Sequence, residues 1–351
     1  MQGQASGMER VGVERARAQL DLAGVALVGL SILWVCVAAA DRPARIMPMV
    51  LLLIAALGAY VVGRVVGVPH NVTLPATIAC GLALVMALGS AGSVSPPLGY
   101  GNANGALGVQ GIVAAVMAAV ASRHQPTRRG LYGVGAVLLV ETALTRSLAA
   151  TLLGVLVLGV GLVAPVIRGR RLLAAGGLLI VAGCAVATTL VGLRYEPQQA
   201  APETVVVAQD VLSSRRVQLW HDAVSMVGDD PVRGIGPGRF SVESPTAQED
   251  PDARWAHSAP LQLAAEQGVP GAVLLAALLG WAFVSLVRSP RPDPVVACAL
   301  AGVIAFAVQA CVDYIAYFPA IPLTLALLLG VATAPLPAGL HSRRSWSASE
   351  R

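Results

Sequence analysis

The sequence predicts an all-α, polytopic integral membrane protein with about ten transmembrane helices and one long extracytoplasmic loop. Three observations predict it. Of 351 residues, 56% are hydrophobic and 12% charged, whereas an ordinary soluble domain carries about 25% charged residues. The mean hydropathy is +0.71. The apolar residues gather in ten runs, each near the roughly 20 residues that cross a bilayer as a helix. Together these exclude a disordered chain, a nucleic-acid-binding domain and a typical soluble enzyme.

The runs lie at approximately 22–40, 47–67, 72–90, 104–121, 130–145, 147–167, 172–193, 268–287, 295–312 and 319–335. The fifth is short, which suits a tilted or partly buried helix. Glycine and proline scatter through them, as membrane helices tolerate better than soluble ones. Arg10, Arg15 and Arg17 precede the first run, and no clear small-residue cleavage site follows it, so it reads as a retained helix. Cys36, Cys80, Cys184, Cys298 and Cys311 all fall in or at the edge of apolar stretches and read as small apolar side chains.

The charge of +5 does not indicate nucleic acid. All 24 basic residues are arginine, and most lie between apolar runs, where they set topology. With the N-terminus inside, inner segments carry 15 arginines and short outer loops only Arg42, Arg45 and Arg146. The remaining six lie in one long loop, which counts little in this rule. The expected organisation is a cytoplasmic tail over 1–21, seven spanning helices over 22–193 and an extracytoplasmic loop over 194–257. A short helix with three more spanning helices follows over 258–335, then a cytoplasmic tail over 336–351.

That loop is the one sizeable polar segment, so aqueous chemistry belongs there. Val217, Trp220, Val224 and Val227 form an apolar stripe at helical spacing. Ser213 or Ser214 can cap its start, and Asp230-Pro231 ends it. Gly234-Ile235-Gly236-Pro237-Gly238-Arg239-Phe240 allows close backbone approach to a ligand or another segment, or makes a plain tight turn. Trp255-Ala256-His257-Ser258-Ala259-Pro260 reads as a helix start with Ser258 as N-cap.

These segments carry a resemblance. Arg216-x-x-x-Trp220, then Pro231 to Phe240, then His257-Ser258-x-x-Leu261-Gln262, then Glu266-x-Gly268-x-x-Gly271, resembles the O-antigen ligase and polymerase superfamily. Thr145-Arg146-Ser147 resembles that family's Ser-Arg-Gly-like element, and Tyr100-Gly-Asn102-Ala-Asn104 its asparagine-bearing segment at an outer mouth. The motifs cover roughly residues 95–320. The resemblance implies a GT-C-like membrane glycosyltransferase. It would move or polymerise a glycan from a polyprenyl-diphosphate carrier (undecaprenyl diphosphate) onto an acceptor hydroxyl, with inversion in one step. The implied setting is the outer face of a bacterial cytoplasmic membrane, in cell-envelope polysaccharide biosynthesis. The implied partners are that donor, a glycan, lipid or protein acceptor, and the bilayer, with no nucleic acid.

The chemistry fits the residue types. A departing diphosphate develops negative charge, which arginine meets with a planar, always-protonated fork. Arg146, at a span end, and Arg216 are the candidates, with Arg215 beside it. An acceptor hydroxyl needs a base, and histidine, with an unperturbed pKa near 6.5, suits this. Of five histidines, His70, His124 and His341 fall on the predicted inner side and His221 on the loop helix. His257 alone combines the outer side with the family motif. The catalytic set is therefore His257, Arg216 and Arg146. Arg215, Asn104, Trp220 and Arg239 are expected to bind substrate, although Asn104 is equally suited to capping its helix. No cofactor and no metal is expected. Asp250-Pro251-Asp252 has the Asp-x-Asp form that can hold a cation on diphosphate, but aspartates beside proline are also ordinary turn formers. Glu141 and Asp313 lie in or at the edge of spans, where acids usually face the bundle or a cavity. Glu141 is expected to pair with Arg146 or another interior arginine.

A transporter or flippase of a lipid-linked or polar substrate is the alternative. It shares the many spans, but should show internal repeats, and none is evident. A non-catalytic membrane scaffold is the third reading.

Overall fold

The computed structural model describes residues 2–89, 96–166, 169–194, 213–249 and 253–336. Residues 195–212 of the long loop, the Asp250-Pro251-Asp252 triplet, His341 and most of the C-terminal tail lie outside them. The elements run α1 (Gln2–Ala39), α2 (Met47–Val66), α3 (Thr73–Leu88), α4 (Gly101–Ala121), α5 (Gln125–Leu144), α6 (Leu148–Val163) and α7 (Arg170–Arg194). Then come α8 (Ser214–Asp229), α9 (Phe240–Glu243), α10 (Pro245–Glu249), α11 (Ala259–Val287), α12 (Asp293–Val312), a 3-10 turn at Ile315–Tyr317, and α13 (Ala320–Thr333). There is no strand among the described residues.

Each apolar run lies on a helix. α1, α2, α4, α7, α11 and α12 are long and apolar enough to cross a membrane, while α3, α6 and α13 are shorter apolar helices. This is an all-helical, polytopic membrane protein.

Burial sorts the helices. In α4 and α12 the apolar windows are 94% and 89% buried, against 11% in α2. α4 is built largely from Gly and Ala, whose small side chains let neighbours close in. The outer helices turn large apolar side chains outward, among them Leu22, Leu88, Leu172 and Leu179. Such a belt is a liability in water and the normal face in lipid. α2 and α13 cross with backbones in contact: a Cβ on Gly63 would lie 2.0 Å from the Leu327 carbonyl.

α11 is two helices joined at a break. Gly268 has φ 68° and ψ −177°, and Pro270 follows. The break frees carbonyls that water cannot reach in a membrane, and other segments satisfy them. Ile235 N–H donates to the Ala265 carbonyl (2.9 Å) and Gly236 N–H to that of Glu266 (3.0 Å). Trp34 of α1 donates its indole N–H to the Gln267 carbonyl (2.9 Å). Val269 N–H donates to Pro231 (2.8 Å). The glycine-rich loop is thus the cap of the broken helix. Gly234, Gly236 and Gly238 all have positive φ. A Cβ on Gly234 would lie 2.3 Å from the Ala265 carbonyl oxygen.

Three local expectations need correction. The buried face of α8 is Leu219, Trp220, Ala223 and Met226, not Val217, Trp220, Val224 and Val227. α8 packs on α7 and α11, and that contact selects the face. Glu141 makes no ion pair with Arg146 among the described residues, and its Oε2 is buried without a partner. Ser258 is the N-cap of α11 by position, but its hydroxyl makes no cap bond and has no partner.

Candidate functional site

Four segments converge at one end of the bundle. The first is the turn between α5 and α6. Thr145 donates its hydroxyl to the Thr142 carbonyl (2.7 Å), and Ser147 caps α6 through the Ala150 N–H. Between them Arg146 takes φ 62°, a conformation that costs an L-residue about 1–3 kcal/mol. The second is the start of α8. Ser213 accepts the Arg216 N–H at 3.3 Å, which fixes where Arg216 leaves the helix.

The third is the turn before α11. Gln262 accepts the Ala256 N–H at 2.6 Å and donates to Glu266 at 2.7 Å. Glu266 also accepts the Gly238 N–H (2.9 Å). Trp220, fully buried, donates its indole N–H to the His257 carbonyl at 3.2 Å. His257 itself has φ 50°. Arg146 and His257, both site candidates, are thus two of the three non-glycine residues with positive φ among the described residues. Strain of this kind gathers where surrounding structure holds a side chain to a task.

The fourth is Asp313, the C-cap of α12, which joins the others. Its Oδ1 lies 3.3 Å from His257 Nδ1 and accepts the Tyr314 N–H at 2.7 Å. Its Oδ2 lies 3.6 Å from Arg216 Nη2. That oxygen also accepts from the Tyr100 hydroxyl at 2.8 Å and from Asn102 Nδ2 at 2.5 Å. Burial acts to raise the carboxyl's pKa, but contact with His257, the Arg216 charge and the Tyr100 hydroxyl outweigh it, so it sits below its ordinary value. Tyr100 moves up, first from burial and then from the Asp313 charge, and so remains a hydroxyl donor. Tyr314 meets the His257 ring edge-on at 4.7 Å and stacks with Tyr100 at 4.9 Å.

These groups line a cavity of about 850 Å3 that holds Arg146, Arg216, His257, Asp313, Tyr100 and Asn102. The structure therefore brings together all three residues expected to be catalytic. His257 Nδ1 faces Asp313 at 3.3 Å without meeting hydrogen-bond geometry, so a modest rotation of the ring would complete that bond and leave Nε2 to exchange a proton.

The four expected binders do not line this cavity. Trp220 is packed among Leu219, Phe240 and Leu261. Asn104 is buried and accepts the Leu98 N–H at 3.0 Å. Arg215 lies 3.4 Å from Glu249, and Arg239 pairs with Glu243 in α9. Among the described residues, no group of three or more His, Cys, Asp or Glu side chains is placed to hold a metal.

Sequence reading missed Asp313 as the hub and chose Asn104 over Asn102. The signal for Asp313 was its place as a lone acid ending an apolar run. For the asparagines, a shift of two residues moves a side chain about 200° around a helix, so Asn102 and Asn104 face opposite ways.

Residues 131–276 match a family model described as O-antigen ligase. The chain's resemblance to the O-antigen ligase superfamily is therefore shown over that stretch. The match takes in Arg146, Arg216 and His257 and stops short of Asp313. It supports a membrane glycan ligase or polymerase in general terms. No curated protein matches the chain.

Proposed function

We propose that this chain, with its O-antigen ligase region, is a membrane glycosyltransferase that takes a glycan from a polyprenyl-diphosphate carrier and joins it to an acceptor hydroxyl at the extracytoplasmic face. One observation carries the reading: a histidine and two arginines face a single cavity, and the histidine's Nδ1 lies 3.3 Å from a buried carboxylate. Nε2 of His257 takes the acceptor proton. The acceptor oxygen bonds to the anomeric carbon, the bond from that carbon to the diphosphate oxygen breaks, and its electron pair leaves with the diphosphate. Attack and departure from opposite faces invert the configuration without a covalent intermediate.

Asp313 holds the imidazole in one tautomer and stabilises the imidazolium as it forms. Arg146 and Arg216 meet the charge growing on the diphosphate. Arg216 is shared with Asp313, so the carboxylate also holds that guanidinium in place. Neutralisation by arginine makes a divalent cation unnecessary in this scheme. An apolar cleft between α1, α2, α11 and α13 reaches Ala259 and Tyr317 beside the site. Such a cleft is the kind of surface a lipid-linked substrate needs. Arg215, Arg239, Trp220 and Asn104 would act by holding α8, α9, the His257 turn and the start of α4.

The test is in vitro transfer from a polyprenyl-diphosphate glycan, with and without chelator. His257→Ala should lower the rate roughly 10²–10⁴-fold, the usual contribution of a positioned base. Arg216→Ala should also abolish useful transfer, and wild type should be indifferent to chelator. Full transfer by His257→Ala would remove the base assignment and bring the transporter reading forward.

A further inference from the structure

At the other end of the same helices lies a second polar cavity, of about 700 Å3, that the transfer scheme does not use. It is formed by the α2–α3 connection, the C-terminal end of α4, the loop between α11 and α12 and the end of α13. Arg123, Arg291, His124, Asn71, Ser122 and Thr127 supply its polar lining, and Val72 and Val120 part of its apolar wall.

Arg291 is the unusual group. It is only 4% exposed. Its Nε donates to the Ala334 carbonyl (2.9 Å) and its Nη2 to that of Gly67 (2.7 Å), the carbonyls that close α13 and α2. These bonds hold the guanidinium but bring it no carboxylate among the described residues. The neighbouring acids are engaged: Asp293 lies 3.6 Å from Arg170, and Asp21 is paired with Arg64. Burial first, and the Arg64 charge second, oppose the charged form of Arg291. A buried cation with a like charge near it and no counter-ion is costly. Arg123, on the same cavity, adds a second positive charge.

We propose that this cavity binds the phosphodiester headgroup of an anionic lipid, with Arg291 and Arg123 as its ligands, on the membrane face opposite His257. The charge deficit asks for an anion, and the fork of arginine suits phosphate. Basic pockets between membrane helices suit such headgroups. The apolar wall gives the first carbons of the lipid a dry surface, which soluble phosphate would not use. Residues 337–351 are a poor substitute, since they carry Arg343, Arg344 and Arg351 against Glu350 alone.

The experiment uses the full chain in nanodiscs of phosphatidylcholine, phosphatidylglycerol or a mixture, with retained lipid counted by native mass spectrometry. A parallel arm in detergent titrates inorganic phosphate and reads thermal stability. Phosphatidylglycerol should be retained selectively from the mixture, about fivefold less by Arg123→Gln, the effect of one arginine near an anionic surface. Arg291→Lys, which keeps the charge but loses the fork, should also retain less. Arg123→Gln keeps the test valid if the buried position does not tolerate change. Equal retention of the two lipids, or retention unchanged in Arg123→Gln, would overturn the proposal. Stabilisation by inorganic phosphate equal to that by the lipid would overturn the lipid as the source of the anion.

Discussion

Asp313 divides its two oxygens between the proposed base and an arginine: Oδ1 faces His257 and Oδ2 faces Arg216, Tyr100 and Asn102. A change at this carboxylate should therefore disturb proton transfer and diphosphate stabilisation together. Asp313→Asn is expected to lower kcat roughly 10²-fold or more while KM moves little, since Asn cannot hold the imidazolium. The pH dependence follows from the direction of its shift. Its folded pKa lies below the ordinary value, near 3.9 for Asp. Its contribution to stability is thus fully present above that ordinary value and is lost only as pH falls through the lower folded value. A pH–rate profile from about pH 5 upward should show no break due to Asp313, and thermal stability read over the same range should show none either. Arg216→Lys tests the fork. Lysine keeps the charge but offers a point rather than a plane, so the variant should stay well below wild type. Wild-type kinetics with lysine would leave only charge as the requirement. That His257, Arg146 and Arg216 would share one cavity was legible because their chemistry suits the proposed transfer and their motifs are local. Asp313 was not, because its role exists only once α12 is brought beside α8 and the His257 turn.

At the scale of elements, the break in α11 fixes both the glycine loop and the site. The helix start could be read from Ser258, Ala259 and Pro260, and the spanning part from the apolar run after Gly268. What the sequence did not show is that Gly234 to Gly238 closes the gap, because that depends on which carbonyls the break exposes. The shifted stripe of α8 has the same cause: Val and Leu are both apolar, and only packing on α7 and α11 chooses Leu219 over Val217. Gly268→Ala should cost about 1–3 kcal/mol from its positive φ alone. Its Cβ would also fall 2.1 Å from the Val232 carbonyl oxygen. The melting temperature in detergent and transfer activity should both fall. Gly133→Ala in α5 is the contrast, with nothing within 4 Å of the added methyl group. It should leave activity intact and gain up to about 1 kcal/mol from helix propensity. Equal losses in both variants would mean that the break is not what positions His257.

At the scale of the molecule, the two ends of α4 and α12 differ in chemistry. One end carries the cavity of His257 and Asp313, and the other the arginines of the α4–α5 and α11–α12 connections, Arg123 and Arg291. That polarity was legible in the sequence as 15 arginines on one side against three in short loops on the other, and it predicts which end faces the cytoplasm. A direct check is labelling of whole cells by a membrane-impermeant maleimide, in a background with the five native cysteines removed. Val242→Cys, in α9 beside the site end, is 44% exposed and should label from outside. Thr127→Cys, exposed near the start of α5 on the arginine-lined cavity, should label only after permeabilisation. The reverse pattern would put His257 inside. The acceptor would then be a cytoplasmic hydroxyl, and the extracytoplasmic transfer scheme would fail even with every distance in the site unchanged.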